Sequence, residues 1–222
     1  GYDAVSLTGR QLGIYTDGAF MKARINQIDG ERARQELDKG KVVVVAGFQG
    51  LSEDGDVTTM GRGASDLTAV AMAAILKADR CDIYTDVDAV YAADPRIVPR
   101  AKKLPAISYE EMLEMASAGA KVLHTRAVQF SAKYNVTLKV VSSFDELPED
   151  PMVELPGTLV TSEPESMMED VVVSSIQRNT NEAKVTLAAV PDQPSVAAKI
   201  FNLLADNAVV VDMIVQNVGA AD

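Results

Sequence analysis

A layered α/β fold is what this 222-residue sequence predicts, and three observations predict it. Strand-like and helix-like segments alternate along the chain. "KVVVVAGF", Lys41 to Phe48, is a continuous apolar run of the kind that a strand covered on both faces shows. The C-terminal part repeats the alternation by itself, as strand, turn, helix and strand. The length allows one large domain or two. A hydrophobic fraction of 47% with 24% charged residues is that of a soluble globular chain with enough apolar residues for a core.

Each element follows from its own pattern. "GERARQELDKG", Gly30 to Gly40, predicts a short helix closed by Gly40, followed by the buried strand. "MGRGASDLTAVAMAAILKA", Met60 to Ala78, predicts a helix in which Leu67, Val70, Ala71, Ala74 and Ile75 form one buried stripe. Ser65 suits its N-cap, and Asp66 complements the positive end of the macrodipole. "CDIYTDVDAVY", Cys81 to Tyr91, predicts a strand emerging into an acidic loop. "SYEEMLEMASAGAKVL", starting at Ser108, is helical up to Gly119, and "RAVQFSAKYN", Arg126 to Asn135, predicts a further helix. "VTLKVVSS", Val136 to Ser143, predicts another buried strand.

A composition shift follows. "FDELPEDPMVELPG", Phe144 to Gly157, carries three prolines and five acids and predicts a surface connection, which "TSEPESMMED" continues toward a second domain. The last 61 residues hold 3 basic and 9 acidic side chains against 18 and 23 in the first 161, so the boundary is expected after residue 161, with a separate module over 162–222. In that module "EAKVTLAAV" predicts a strand, "PDQP" a turn, "SVAAKIFNLLADN" an amphipathic helix and "AVVVDMIVQNV" a second strand. Two parallel strands joined by one helix leave both sheet edges open, so further strands are expected to cover them. The chain starts at Gly1 without an initiator methionine and stops directly after a strong strand, which predicts a fragment cut at both ends.

The net charge of −11 argues against nucleic acid as a main partner, because a phosphate backbone demands clustered cations. One cysteine, Cys81, rules out an internal disulfide and reads as a buried, inert thiol. One histidine, His124, has no Cys or His companions, which excludes a His-rich metal site; it reads as a packed or capping residue rather than a base. No apolar stretch reaches the length of a membrane span and no signal peptide opens the chain, so a cytoplasmic location is expected, with no membrane partner.

Three segments carry chemistry. In "GRGAS" the glycines Gly61 and Gly63 free the backbone for a close approach, and Arg62 puts a forked cation beside it, which together with a helix N-terminus makes an anion site. A plain glycine-rich turn accounts for the same residues equally well. In "YTDVDAVYAADPRIVPRAKKL", Thr85 and Asp86 fall at a strand end, where α/β folds place ligands. Tyr91 offers a flat face with a hydroxyl, and Asp94 and Arg96 flank a proline that fixes their geometry. A base, a ribose and phosphates could use such a set; a solvated loop is the alternative. In "SAGAKVLHTRA", Lys121 follows a Gly-Ala pair and is either a solvated lysine or one lying beside phosphate oxygens.

The segments "DVTTMGRGASDLTAVAMAAILKAD", "IYTDVDAVYAADPRIVPRAKKL" and "GAKVLHTRAVQFSAKYNVTLKV" resemble the aspartate kinases of the amino acid kinase family. "VPDQPSVAAKIFNLLADNAVVVDMIVQN" resembles the first half of their ACT regulatory domain. The resemblance implies a carbamate kinase-like α/β domain over 1–161 and a partial ACT module, a ferredoxin-like βαβ unit, over 162–222. It implies transfer of the ATP γ-phosphoryl to the β-carboxylate of L-aspartate, giving 4-phospho-L-aspartate, the first step toward lysine, threonine and methionine. It places Arg62, Gly63, Ala64, Ser65 and Asp66 at the aspartate, and Thr85, Asp86, Tyr91, Asp94, Arg96 and Lys121 at ATP, with Lys121 and Arg62 catalytic. Mg²⁺ is expected with the nucleotide, and no metal-ligating residue is assigned. Asp192, Gln193, Pro194, Ser195, Val196, Ala197, Val210, Val211, Asp212, Gln216 and Asn217 match the site for an effector, lysine or threonine. A homo-oligomer through the ACT modules is implied as well. The family has glycine where this chain has Ala64, Ala89 and Ser195, and its N-terminal Lys-Phe/Tyr-Gly-Gly phosphate motif has no counterpart here. The competing expectation is therefore a non-catalytic fragment that binds only nucleotide or effector, and a kinase acting on glutamate is a third.

Overall fold

In the computed structural model, residues 1–120, 122–146, 148, 153–162, 173–178, 183–191, 193, 195–207, 209, 211 and 214–215 are described. The first part of the chain runs β1 (Ala4–Leu7), α1 (Gly9–Leu12), β2 (Ile14–Thr16), β3 (Ile25–Ile28), α2 (Glu31–Leu37), β4 (Val42–Val45), β5 (Gln49–Leu51) and β6 (Val57–Thr59). It continues through α3 (Ala64–Leu76), β7 (Cys81–Thr85), β8 (Ala106–Ser108), α4 (Tyr109–Ser117), α5 (Thr125–Tyr134), β9 (Leu138–Ser142) and β10 (Thr158–Thr161) to α6 (Val196–Asp206). Contacts divide the chain into two compact units, Gly1–Asn179 and Thr180–Asp222.

In the first unit, β1 and β4 form a parallel pair, and a second sheet has the order β3-β2-β5-β6. The third sheet, β7-β9-β10-β8, carries the main core. Its β9 is buried at every position, because β7 lies parallel on one side, β10 antiparallel on the other, and helices cover its faces. Leu138 and Val140 of β9, Ile107 of β8 and Val160 of β10 are all excluded from water. The helix α3 packs against α5 and β7 and buries Ala64, Leu67, Thr68, Val70, Ala71, Met72 and Ala73, so it is enclosed around most of its circumference. Leu67, Val70 and Ala71 of the predicted stripe are part of that surface, while Ala74 and Ile75 are half-buried against the core. Ser108 and Glu111 form a reciprocal capping box that starts α4, with Glu111 N–H donating to Ser108 Oγ at 3.2 Å.

Three expectations are corrected. Ser65 is not the N-cap of α3: the helix starts at Ala64, and Gly63 caps it in the left-handed conformation (φ +79°) without a side-chain bond. The strand within 41–48 is not buried on both faces. Val42 and Val44 are 48% and 54% exposed, because β4 pairs only with β1 and, among the described residues, nothing covers its outer face. The predicted strand over 182–190 shows no ladder at the described residues 183–190; the second predicted strand, 208–218, lies mostly outside the described residues. Helix α6 is the regular element among the described residues of its unit.

Candidate active site

Chain leaving β6 turns through Gly61 (φ +96°) and Gly63 (φ +79°) before entering α3. Both glycines are required. A Cβ at Gly61 would sit 3.1 Å from the Met21 carbonyl oxygen, and one at Gly63 3.1 Å from His124 Cδ2, in a backbone conformation that L side chains rarely adopt. Ala64 has no positive φ and is buried inside the helix, so its methyl is accommodated. The loop leaves Arg62 and Ser65 exposed, and neither side chain has a hydrogen-bonded partner among the described residues. Asp66 is half-buried and accepts a hydrogen bond from the His124 N–H at 3.4 Å. Burial pushes its carboxyl above the usual range, against the lowering effect of that N–H and of His124.

A cleft of about 360 Å³ opens beside this loop, lined by Val43, Val45, Gly47, Ser65, Thr68 and Met72 among others. It runs along β4 toward that strand's C-terminal end, where the Phe48 N–H donates to Thr68 Oγ1 at 3.0 Å and ties the strand exit to α3. Ser65 is the site residue that borders it.

The second cluster sits past the C-terminal end of β7, of which Thr85 is the last residue. Thr85 Oγ1 donates to Asp86 Oδ1 at 3.2 Å. Tyr91 donates its hydroxyl proton to Asp88 Oδ1 at 2.8 Å, and Lys103 donates to Asp88 Oδ2, so the Lys103 ammonium and then the Tyr91 hydroxyl hold the Asp88 carboxyl below its usual range. Asp94 and Arg96 grip each other in a forked pair, Nε to Oδ1 at 3.0 Å and Nη2 to Oδ2 at 2.9 Å, across Pro95. The Arg96 side chain is 86% exposed. Ala89 is buried without a positive φ.

Gly63 and Asp66 are thus joined to His124, three residues beyond Lys121; Lys121 itself lies outside the described residues. No hydrogen bond among the described residues links the loop 61–66 directly to the cluster 85–96. His124 precedes α5 without a side-chain cap bond, and its Nδ1 is buried with no partner among the described residues. Burial pushes the Cys81 thiol up to about 11, as an inert cysteine requires. No group of three or more metal-ligating side chains is present among the described residues.

Of the effector residues, Asp192, Pro194, Val210, Asp212, Gln216 and Asn217 lie outside the described residues. Ser195 occupies the N-cap of α6 at φ +76°, making no side-chain cap bond, and is followed by Val196 and Ala197 in the helix; Gln193 and Val211 are exposed. Sequence reasoning missed three participants. Asp88 and Lys103 are close to Tyr91 in space, and only Asp88 carries a signal, three residues before the tyrosine. Arg126 donates Nη1 to the Met60 carbonyl at 2.9 Å and Nη2 to the Ala23 carbonyl at 3.0 Å, contacts that no local motif marks.

The model of the amino acid kinase family matches residues 1–142. A Pseudomonas putida protein named aspartate kinase is 55% identical over 98% of this chain, which spans about half (51%) of that relative's length. The crystal structure of E. coli aspartokinase III in complex with aspartate and ADP (R-state) superposes with a TM-score of 0.68 at 27% identity, covering 97% of this chain and 47% of that one. The same enzyme in complex with lysine and aspartate (T-state) gives 0.67 at 28% identity, with the same coverage of both chains.

Proposed function

This chain belongs to the amino acid kinase family, and from that premise we propose that it works in an aspartate kinase, moving the γ-phosphoryl of ATP onto the β-carboxylate of L-aspartate. The observation that carries the reading is the 55% identity to a protein named aspartate kinase over 98% of the chain. An exposed Arg62 set between two left-handed glycines supports it.

The chemistry needs no general base. An aspartate β-carboxylate is ionised near pH 7, so its oxygen attacks the γ-phosphorus as it stands, the bond to the β–γ bridging oxygen breaks, and ADP leaves with that electron pair. The product is the mixed anhydride 4-phospho-L-aspartate. What the site must do is hold two anions together in line. Arg62 takes one carboxylate of the acceptor through its fork, with the Ser65 hydroxyl and the backbone of Gly63 and Ala64 beside it. Asp66, the group of opposite sign, meets the acceptor ammonium. Lys121 is assigned to the charge that spreads over the transferring phosphoryl. Thr85, Asp86, Tyr91, Asp94 and Arg96 are assigned to the nucleotide. They fit it: Asp86 keeps one carboxylate oxygen free of hydrogen bonds among the described residues, and Arg96 uses only part of its fork on Asp94. Mg²⁺, arriving with ATP, supplies charge neutralisation of the phosphates; it is commonly held by them plus one or two carboxylates and does not need a cluster of protein ligands.

The module over 162–222 is assigned to effector sensing, with lysine or threonine as ligand and association with another copy completing the site. The T-state complex of aspartokinase III with lysine supports lysine as the first ligand to try. ATP and free amino acids coexist in the cytoplasm, the location proposed. The test is ADP release by the full-length protein on adding L-aspartate, with L-glutamate as the control acceptor. Aspartate-dependent release is expected; release with glutamate alone would reassign the acceptor.

A further inference from the structure

Arg126 turns its guanidinium onto main chain. One N–H reaches the Met60 carbonyl at 2.9 Å and another the Ala23 carbonyl at 3.0 Å. Met60 immediately precedes Gly61. Ala23 lies in the loop between β2 and β3, whose Met21 carbonyl lies against Gly61, and the Ala23 N–H donates to the Thr59 carbonyl at 3.0 Å. On the far side of the same loop, the His124 N–H holds Asp66. Chain at the start of α5 therefore grips both shoulders of the segment 60–66. That segment needs gripping: Gly61 and Gly63 have the widest conformational freedom of any residue type, and a fork that must meet a carboxylate squarely cannot be presented by a loose backbone.

We propose that Arg126 is a positioning residue, tying the Met60 and Ala23 carbonyls together so that the segment 60–66 presents Arg62 and Asp66 to the acceptor in one geometry. The inference rests on the acceptor-binding role proposed above for that segment. Arg126 itself touches backbone only, and acts through the loop.

Arg126→Ala and Arg126→Lys in the full-length protein, compared with wild type by amide hydrogen exchange and by initial rates, test it. In Arg126→Ala, exchange over 58–66 and 22–24 accelerates about tenfold or more, the scale of losing charge-assisted bonds, while 128–134 stays within about twofold. The KM for the acceptor rises by about tenfold and the KM for ATP stays within about twofold. Arg126→Lys, whose ammonium has no fork to bridge both carbonyls, recovers part of each effect. Unchanged exchange in the two segments overturns the proposal, as does acceleration spread evenly through α5 or a parallel rise of both KM values, which a merely structural role would give. Failure of the wild type to phosphorylate aspartate overturns the acceptor assignment instead, and the exchange measurement still decides whether Arg126 holds the loop.

Discussion

Arg62 stands exposed in a chain of net charge −11, with no hydrogen-bonded partner for its guanidinium among the described residues. By contrast Arg96 spends part of its fork on Asp94, and Lys103 is paired with Asp88. Set between two left-handed glycines with its fork unengaged, Arg62 is the residue proposed to take an acceptor carboxylate, and Arg62→Ala is expected to raise the KM for aspartate. Losing one charge-assisted bidentate pair costs on the order of 1.5–3 kcal/mol, about tenfold or more in affinity. Arg62→Lys should restore only part, since an ammonium is a point charge without the planar fork. An unchanged kcat/KM for aspartate in Arg62→Ala would take Arg62 out of the site. This much was legible in the sequence because glycine, arginine, serine and aspartate are contiguous there. Ser65 does not cap α3 for a physical reason: Gly63 reaches the left-handed conformation freely, so the helix begins two residues earlier and Ser65 is left facing the cleft.

At the scale of elements, β9 and α2 offer separate tests. Leu138 is wholly buried in β9 at the centre of the main sheet, so Leu138→Ala is expected to destabilise the protein by about 2–5 kcal/mol, read from denaturant unfolding. Glu36, near the end of α2, accepts from Lys41 Nζ at 2.7 Å and Lys39 Nζ at 3.1 Å, which fastens the helix end to the approach of β4. Those two ammonium groups, Lys41 first, lower its carboxyl from 4.5 to about 2. A depressed carboxylate stabilises fully above its unfolded value and progressively less as pH falls through its folded one. The stability gap between wild type and Glu36→Gln should therefore be constant above about pH 5 and close as the pH falls toward 2. A gap that does not change over that range would contradict the pairing. Helices α3, α4 and α5 and strands β7 and β9 were readable because each carries its period within its own residues. The face of β4 left open at Val42 and Val44, and the sheet of β2, β3, β5 and β6, were not, because cover and pairing are supplied by segments distant in sequence. The same distance hid Arg126, whose acceptors lie 66 and 103 residues away.

For the whole molecule, the chain divides into a unit over Gly1–Asn179, with the proposed kinase chemistry, and a unit over Thr180–Asp222, with the proposed effector site. If the second unit senses an end product through association with another copy, ligand binding and assembly must strengthen each other by linkage. Lysine added to the full-length protein is then expected to lower kinase activity and shift sedimentation together, with threonine tested in parallel. No change in activity, assembly or heat signal with either amino acid at about millimolar concentration, weak for any specific site, would remove the effector assignment. The central claim is the identity of the bond made, a phosphoryl group on the β-carboxylate of aspartate. An acyl phosphate is trapped by hydroxylamine as a hydroxamate, so the most direct measurement is hydroxamate formation by the full-length protein with ATP and L-aspartate. The account predicts aspartate β-hydroxamate in step with ADP, strongly reduced in Arg62→Ala; ADP formed without hydroxamate, or hydroxamate formed from glutamate and not from aspartate, would contradict it.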